Sequence, residues 1–142
     1  MSTQTQYVFA DPSLEQVEYA FRELSYDERL VGYKMTASAG NAVNDMYSLR
    51  EAVLFLAGIT WDTPLLDPGY KGSLNWVDVH LLVDWLNEVV GDTDLATAIA
   101  QETFELESYR EQSERIARLV VERMTQYRKV LDSQPVAVAA AS

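Results

Sequence analysis

The chain contains no cysteine and a single histidine, His80. Without thiols there are no disulfides, no thiolate nucleophiles and no zinc site built on cysteine. One histidine leaves most nucleophile and general-base arrangements short of a member. Paired-histidine metal spacing, a glycine-rich phosphate loop and a nucleophile elbow are all missing, so neither a metal nor another cofactor is expected. No stretch approaches the roughly 18 apolar residues of a membrane span. Residues 1–7 lack the basic flank and apolar run of a secretory signal, which with the absent cysteine points to a cytoplasmic protein. Basic residues are scarce, 11 Lys and Arg against 22 Asp and Glu, for a net charge of −11. That sign sets the chain against nucleic acid and anionic lipid. The partner it suits is another protein with a basic or apolar surface.

What is present is a foldable composition: 142 residues, 48% hydrophobic and 11% aromatic, enough for one domain with a real core. Asp11 and Pro12 followed by Leu14, Val17, Phe21 and Leu24 read as a capped amphipathic helix. Ser25 with Glu28 has the form of a capping box and predicts a second helix to about Thr36. After Gly40 and Asn41, the residues Ala42, Val43, Met46, Leu49, Val53, Leu56 and Ala57 share one face of a third helix that Gly58 can end. A loop over 58–72 follows, holding Pro64, Pro68 and three glycines. From Asn75 to Val90 the apolar arc of Leu74, Leu81, Leu82, Trp85, Leu86 and Val89 predicts a fourth, deeply buried helix, ended by Gly91.

From Asp92 to Gln134 there is neither glycine nor proline, and Leu95, Ile99, Leu106, Tyr109, Ile116, Val120, Met124, Tyr127 and Leu131 hold one helical register. Unbroken, this run spans roughly 58 Å in a chain whose compact radius of gyration is about 14 to 15 Å. Its protruding apolar stripe would then need a partner, and a homo-oligomer formed through 92–131 supplies one. Alternatively Ser108 with Glu111 caps a break and the chain folds back. The fold class expected is all-α, a five- or six-helix bundle with a long amphipathic C-terminal helix. Residues 1–133 form the domain and 134–142 a short flexible tail.

Charges that interrupt apolar stripes are the natural candidates for special roles. Arg50 breaks the stripe of the third helix, and Asp78 sits within the apolar arc of the fourth, where it also completes a capping box with Asn75. The two are expected to pair as a structural ion pair across the helices. His80 and Asp84, one turn apart, have the spacing of an oriented imidazole, but the wheel places them on the polar side. Asp92 and Asp94 lack the remaining ligands of a calcium loop and read as helix caps. Residues 108–142 hold six basic and four acidic side chains, against five and eighteen in 1–107. The locally basic last helix, with Glu111 before Arg115 and Glu114 before Arg118, reads as a salt-bridged face lying against the acidic body or against an acidic surface of another copy.

The loop carrying Trp61, Leu65, Tyr70 and Lys71, flanked by Trp76, is the expected site of protein recognition, because aromatics anchor protein contacts. A competing reading tucks Trp61 and Leu65 into the core. No catalytic residue and no metal ligand is assigned. Together these features describe a non-enzymatic interaction module: an adaptor, accessory subunit or assembly factor. Two alternatives are an acidic inhibitor or immunity-type protein masking a basic active site, and a small enzyme or ligand sensor centred on His80 with Asp84 and Asp78.

Overall fold

The computed structural model describes residues 9–36, 40–57 and 73–133. Helix α1, Leu14–Ala20, begins at Ser13 rather than at Asp11. The Ser13 hydroxyl accepts from Gln16 N at 3.0 Å, while Gln16 returns its side-chain oxygen to Ser13 N at 3.1 Å. This reciprocal cap satisfies two orphan amides and turns Val17 and Ala20 into the core.

The all-helical expectation is overturned by a three-stranded antiparallel sheet of β1 (Leu30–Thr36), β2 (Gly40–Met46) and β3 (Ser73–Trp76), in the order β2-β1-β3. The capping box at Ser25 and Glu28 does form, but it closes only a single 3-10 turn, Tyr26–Glu28. Arg29 is already extended, at φ −67° and ψ 155°. Val31, Tyr33 and Thr36 favour a pleated backbone over a helix. The spacing across 42–57 misleads for another reason. Ala42, Val43 and Met46 lie on β2, whereas Leu49 and Val53 lie on helix α2, Leu49–Ala57. Two consecutive elements mimic one apolar wheel.

Asn75 and Trp76 are likewise strand residues, so the fourth predicted helix starts later, as α3, Val79–Trp85. It widens into a π turn, Leu86–Val90, closed by Gly91 at φ +83°. Asp92 N returns to Leu86 O at 2.9 Å, a left-handed glycine ending of the kind that satisfies stranded carbonyls. The run that follows does break. Helix α4, Thr93–Thr103, and helix α5, Tyr109–Asp132, are separate, and the Ser108 hydroxyl accepts from Glu111 N at 3.4 Å to start α5. Folding back buries Ile116, Leu119, Val120, Met124 and Tyr127 of α5 in one core with Leu95 and Ile99 of α4, Ala52 and Val53 of α2, and Val17 of α1. The apolar stripe over 92–131 is thus covered within the chain. The long amphipathic C-terminal helix is present, at 24 residues.

Helix α2 approaches the sheet over Gly32, where an added Cβ would lie 2.7 and 2.8 Å from Phe55 ring atoms and 3.0 Å from the Met46 terminal methyl. Gly32→Ala is therefore expected to cost about 1–3 kcal/mol through overpacking, read as a lower urea midpoint. Adding Phe55→Leu should recover part of that loss; a Gly32→Ala protein as stable as the parent would contradict this close approach.

Candidate protein-binding surface

Among the described residues a dense polar cluster lies at the α3–α4 junction, its three central side chains closed to solvent. Asp92, placed by Gly91, caps α4 by accepting from Leu95 N at 3.0 Å. Its carboxylate also receives Arg123 Nε at 2.8 Å and Nη2 at 3.0 Å, and the Tyr127 hydroxyl at 2.5 Å. Arg123 Nη1 donates to Ala10 O at 2.9 Å and to Gln126 Oε1 at 2.8 Å. Gln126 Nε2 in turn reaches Phe9 O at 3.1 Å and Asp11 Oδ1 at 3.3 Å. Arg123 is 0%, and Asp92 and Tyr127 each 1%, exposed. Burial works against the guanidinium charge, but the Asp92 carboxylate outweighs it and holds Arg123 above its ordinary pKa. Burial, then the negative charge of Asp92, pushes the Tyr127 phenol far above its ordinary range. With Asp92, Arg123 and Tyr127 enclosed and only outer members such as Asp11 and Asp94, 3.8 Å from Arg123 Nη2, reaching solvent, this cluster is a clamp tying residues 9–11 to α5.

A surface with the opposite character lies on the sheet. Cross-strand partners share a face and neighbours along a strand alternate. Leu30 and Gly32 turn toward α2, so Val31, Tyr33 and Met35 form the outer face. On that face the register sets Val43 opposite Tyr33 and Tyr33 opposite Trp76, with Asp45 beside Val31 and Asn41 beside Met35. The Trp76 ring lies 6.0 Å from Tyr33 and 6.2 Å from Tyr109, each tilted by 43°. The Tyr109 hydroxyl accepts from Val77 N at 3.2 Å and donates to Asn75 O at 2.9 Å, fixing α5 to β3. Burial raises its phenol pKa. Tyr33 and Trp76 are half-buried, while Val43 is 63% exposed.

A charged rim flanks this row, one cross-strand pair away. Arg29 Nε meets Asp45 Oδ1 at 3.2 Å, Nη1 donates to Tyr26 O at 2.9 Å, and the guanidinium lies 3.8 Å over the exposed Tyr26 ring. The same Tyr-x-x-Arg unit occurs seven residues earlier: Arg22 lies 3.8 Å over Tyr19, bonds Tyr19 O at 2.9 Å and pairs with Glu28 at 3.3 Å. The backbone amide of Ser25, followed in effect by Arg22 and the Ser25 hydroxyl, holds Glu28 below the usual carboxylate range against its desolvation. Both arginines are thereby stiffened, each spanning a ring, a carbonyl and a carboxylate.

The residues singled out in the sequence are distributed unevenly over this framework. Trp76 belongs to the aromatic row. Trp61, Leu65, Tyr70 and Lys71 lie outside the described residues. Asp78 is the N-cap of α3, accepting from His80 N at 2.9 Å and Leu81 N at 3.1 Å. Arg50 lies 4.6 Å over the Phe21 ring, and among the ion pairs of the described residues none joins Arg50 to Asp78. The His80 ring stacks on Phe104 at 4.1 Å and 19°, away from the pairing with Asp84 that its spacing allows. Arg115 and Arg118 both reach Glu102 of α4, at 3.0 and 3.5 Å, so the basic face of α5 leans on the acidic body.

Tyr33, Val43 and the pairing of Asp92 with Arg123 are the contributors that the sequence reading missed. The signal for Arg123 was available: it falls on the α5 apolar stripe among Val120, Met124 and Tyr127. Among the described residues there is no group of three potential metal ligands and no helix long and apolar enough to cross a membrane. No protein family, curated protein or solved structure matches the chain, so the functional argument rests on its own residues.

Proposed function

We propose that the chain is a protein–protein interaction module, an adaptor, accessory subunit or assembly factor, that binds its partner through the outer face of the sheet. The observation that carries this reading is the cross-strand row of Val43, Tyr33 and Trp76, apolar and aromatic, with Val43 63% exposed at its outer end. Tryptophan and tyrosine dominate binding energy at protein interfaces because they bury large rigid areas at low entropic cost. The Arg29–Asp45 pair beside the row supplies the polar rim such interfaces carry.

Site-specific photo-crosslinking in the producing cell tests the reading. A photoreactive residue at Val43 should yield one discrete protein adduct, and Trp76→Ser in the same chain should remove it. An adduct pattern identical to that from Leu54, an exposed position on α2, would count against the sheet face as the binding surface.

A further inference from the structure

Strand β2 is an edge: it pairs with β1 along its full seven residues, and no strand lies on its outer side among the described residues. Gly40, Asn41, Ala42, Val43 and Asp45 are all exposed. A strand edge presents a ladder of main-chain donors and acceptors that another extended segment can pair with. Natural edges are blunted by charged side chains, lysine above all, by proline, by bulges or by a covering element; β2 carries neither lysine nor proline, and its one charge, Asp45, is paired with Arg29.

We infer that β2 is a strand-addition site for an extended, basic segment of a partner protein. This rests on the reading of the sheet face as the binding surface and deepens it by naming what docks there. Side chains of an added strand would continue the existing cross-strand rows. The residue beside Val43 extends the row of Trp76, Tyr33 and Val43, so it is apolar or aromatic. Two positions away, the residue beside Asp45 is lysine or arginine, adding a second cation to a carboxylate that Arg29 engages through one oxygen. The residue beside Asn41, two positions to the other side, is polar. The pattern recognised is basic, any, apolar, any, polar, with the intervening residues on the α2 face.

Charge selects between occupants. The chain carries −11, and exposed Asp27 lies in the 3-10 turn beside the Tyr26–Arg29 rim. A basic segment is attracted to this edge, whereas a second copy brings another −11. Self-pairing centred on Val43 would set Asn41 against Asp45 without opposing like charges, so a second copy is the outcome the experiment must separate.

The probe is a seven-residue threonine peptide with lysine second, tryptophan fourth and asparagine sixth, titrated to millimolar concentration into the isotope-labelled full chain. Amide shifts are followed by NMR. The lysine peptide should shift the amides of β2, and replacing lysine by glutamate should weaken binding by about tenfold or more at low salt. N-methylation of alternate peptide amides removes the donors along one edge and should abolish binding. Val43→Ser, checked for an unchanged fold by its amide spectrum, should weaken binding.

Failure of the lysine peptide to shift β2, equal binding of the glutamate peptide, or undiminished binding of the N-methylated peptide would each overturn the inference. So would a concentration-dependent dimer in which Val43→Cys, the sole thiol of the chain, forms an intermolecular disulfide and Leu54→Cys does not, because that assigns the edge to a second copy. A discrete cellular adduct at Val43 alongside failed peptides would leave the sheet face as the binding surface and remove only strand addition; loss of both would remove the underlying reading as well.

Discussion

Arg123→Met is expected to destabilise the chain by about 3–5 kcal/mol, lowering the thermal midpoint by about 10–15 °C and the urea midpoint at unchanged slope. The guanidinium is fully buried, and its donors serve Asp92 through two nitrogens and Ala10 and Gln126 through the third. Methionine fills much of the volume but leaves the Asp92 carboxylate enclosed, with Leu95 N and the Tyr127 hydroxyl as its remaining described donors. The cost is that of a stranded buried charge. Two companion variants locate the effect. Arg123→Lys should rescue little, because a single ammonium cannot reproduce a planar fork addressing three groups at once. Adding Asp92→Asn to Arg123→Met should recover part of the loss, since the amide oxygen keeps the α4 cap while the stranded charge disappears. Additive losses in the double variant, or a cost below about 1 kcal/mol for Arg123→Met alone, would mean that the two side chains do not act as a pair. Proteolysis near residues 9–11 should rise in parallel, because the same guanidinium holds Ala10.

How much of this was legible in the sequence depends on how local each signal is. Gly91 and Ser108 were read correctly as an ending and a potential beginning, because caps act within one turn of the residues that cause them. Asp92 was likewise read as a cap. Its pairing with Arg123 was not, since it joins positions 31 apart that only the return of α5 over α4 brings together. The reasoning that made Arg50 conspicuous, a charge on an apolar stripe, applies better to Arg123. Arg50 stands on the exposed side of α2 against Phe21; Arg123 is the one enclosed.

The sheet is hidden less by β1 than by what precedes it. Over 31–36 Val31, Tyr33 and Met35 alternate with Gly32, Lys34 and Thr36, the period of a strand, but the capping box at Ser25 and Glu28 announces a helix just before it and in fact closes only one turn. Strand β2 has few apolar residues of its own, and those it has fall at intervals that join seamlessly to the stripe of α2. Trp76 could be picked out as an aromatic beside a long loop. Its neighbours Tyr33 and Val43 could not, because their proximity exists only through strand register, which follows from pairing rather than from any one segment.

Tyr127→Phe is expected to cost about 1.5–3 kcal/mol near neutral pH, the range for a hydrogen bond to a charged group, and to make stability less sensitive to alkali. The Tyr127 phenol is held far above its ordinary pKa by burial first and by the Asp92 carboxylate next, with Arg123 opposing. In the unfolded chain the same phenol ionises near pH 10. Above about pH 10 the unfolded state therefore sheds a proton that the folded state retains, and the stability due to this group, complete below that pH, falls as pH rises toward the folded value, by about 1.4 kcal/mol per unit. Phenylalanine has no such proton. The gap between the parent and Tyr127→Phe should close by about 1.4 kcal/mol for each pH unit above about 10, while both proteins keep the decline due to Tyr109, which burial shifts in the same direction. Urea unfolding of both proteins at a series of pH values from about 8 to 11 checks this against the ordinary tyrosine pKa. A gap constant across that range would mean that Tyr127 ionises as readily in the folded chain as in the unfolded one, and that neither burial nor the Asp92 carboxylate raises its pKa.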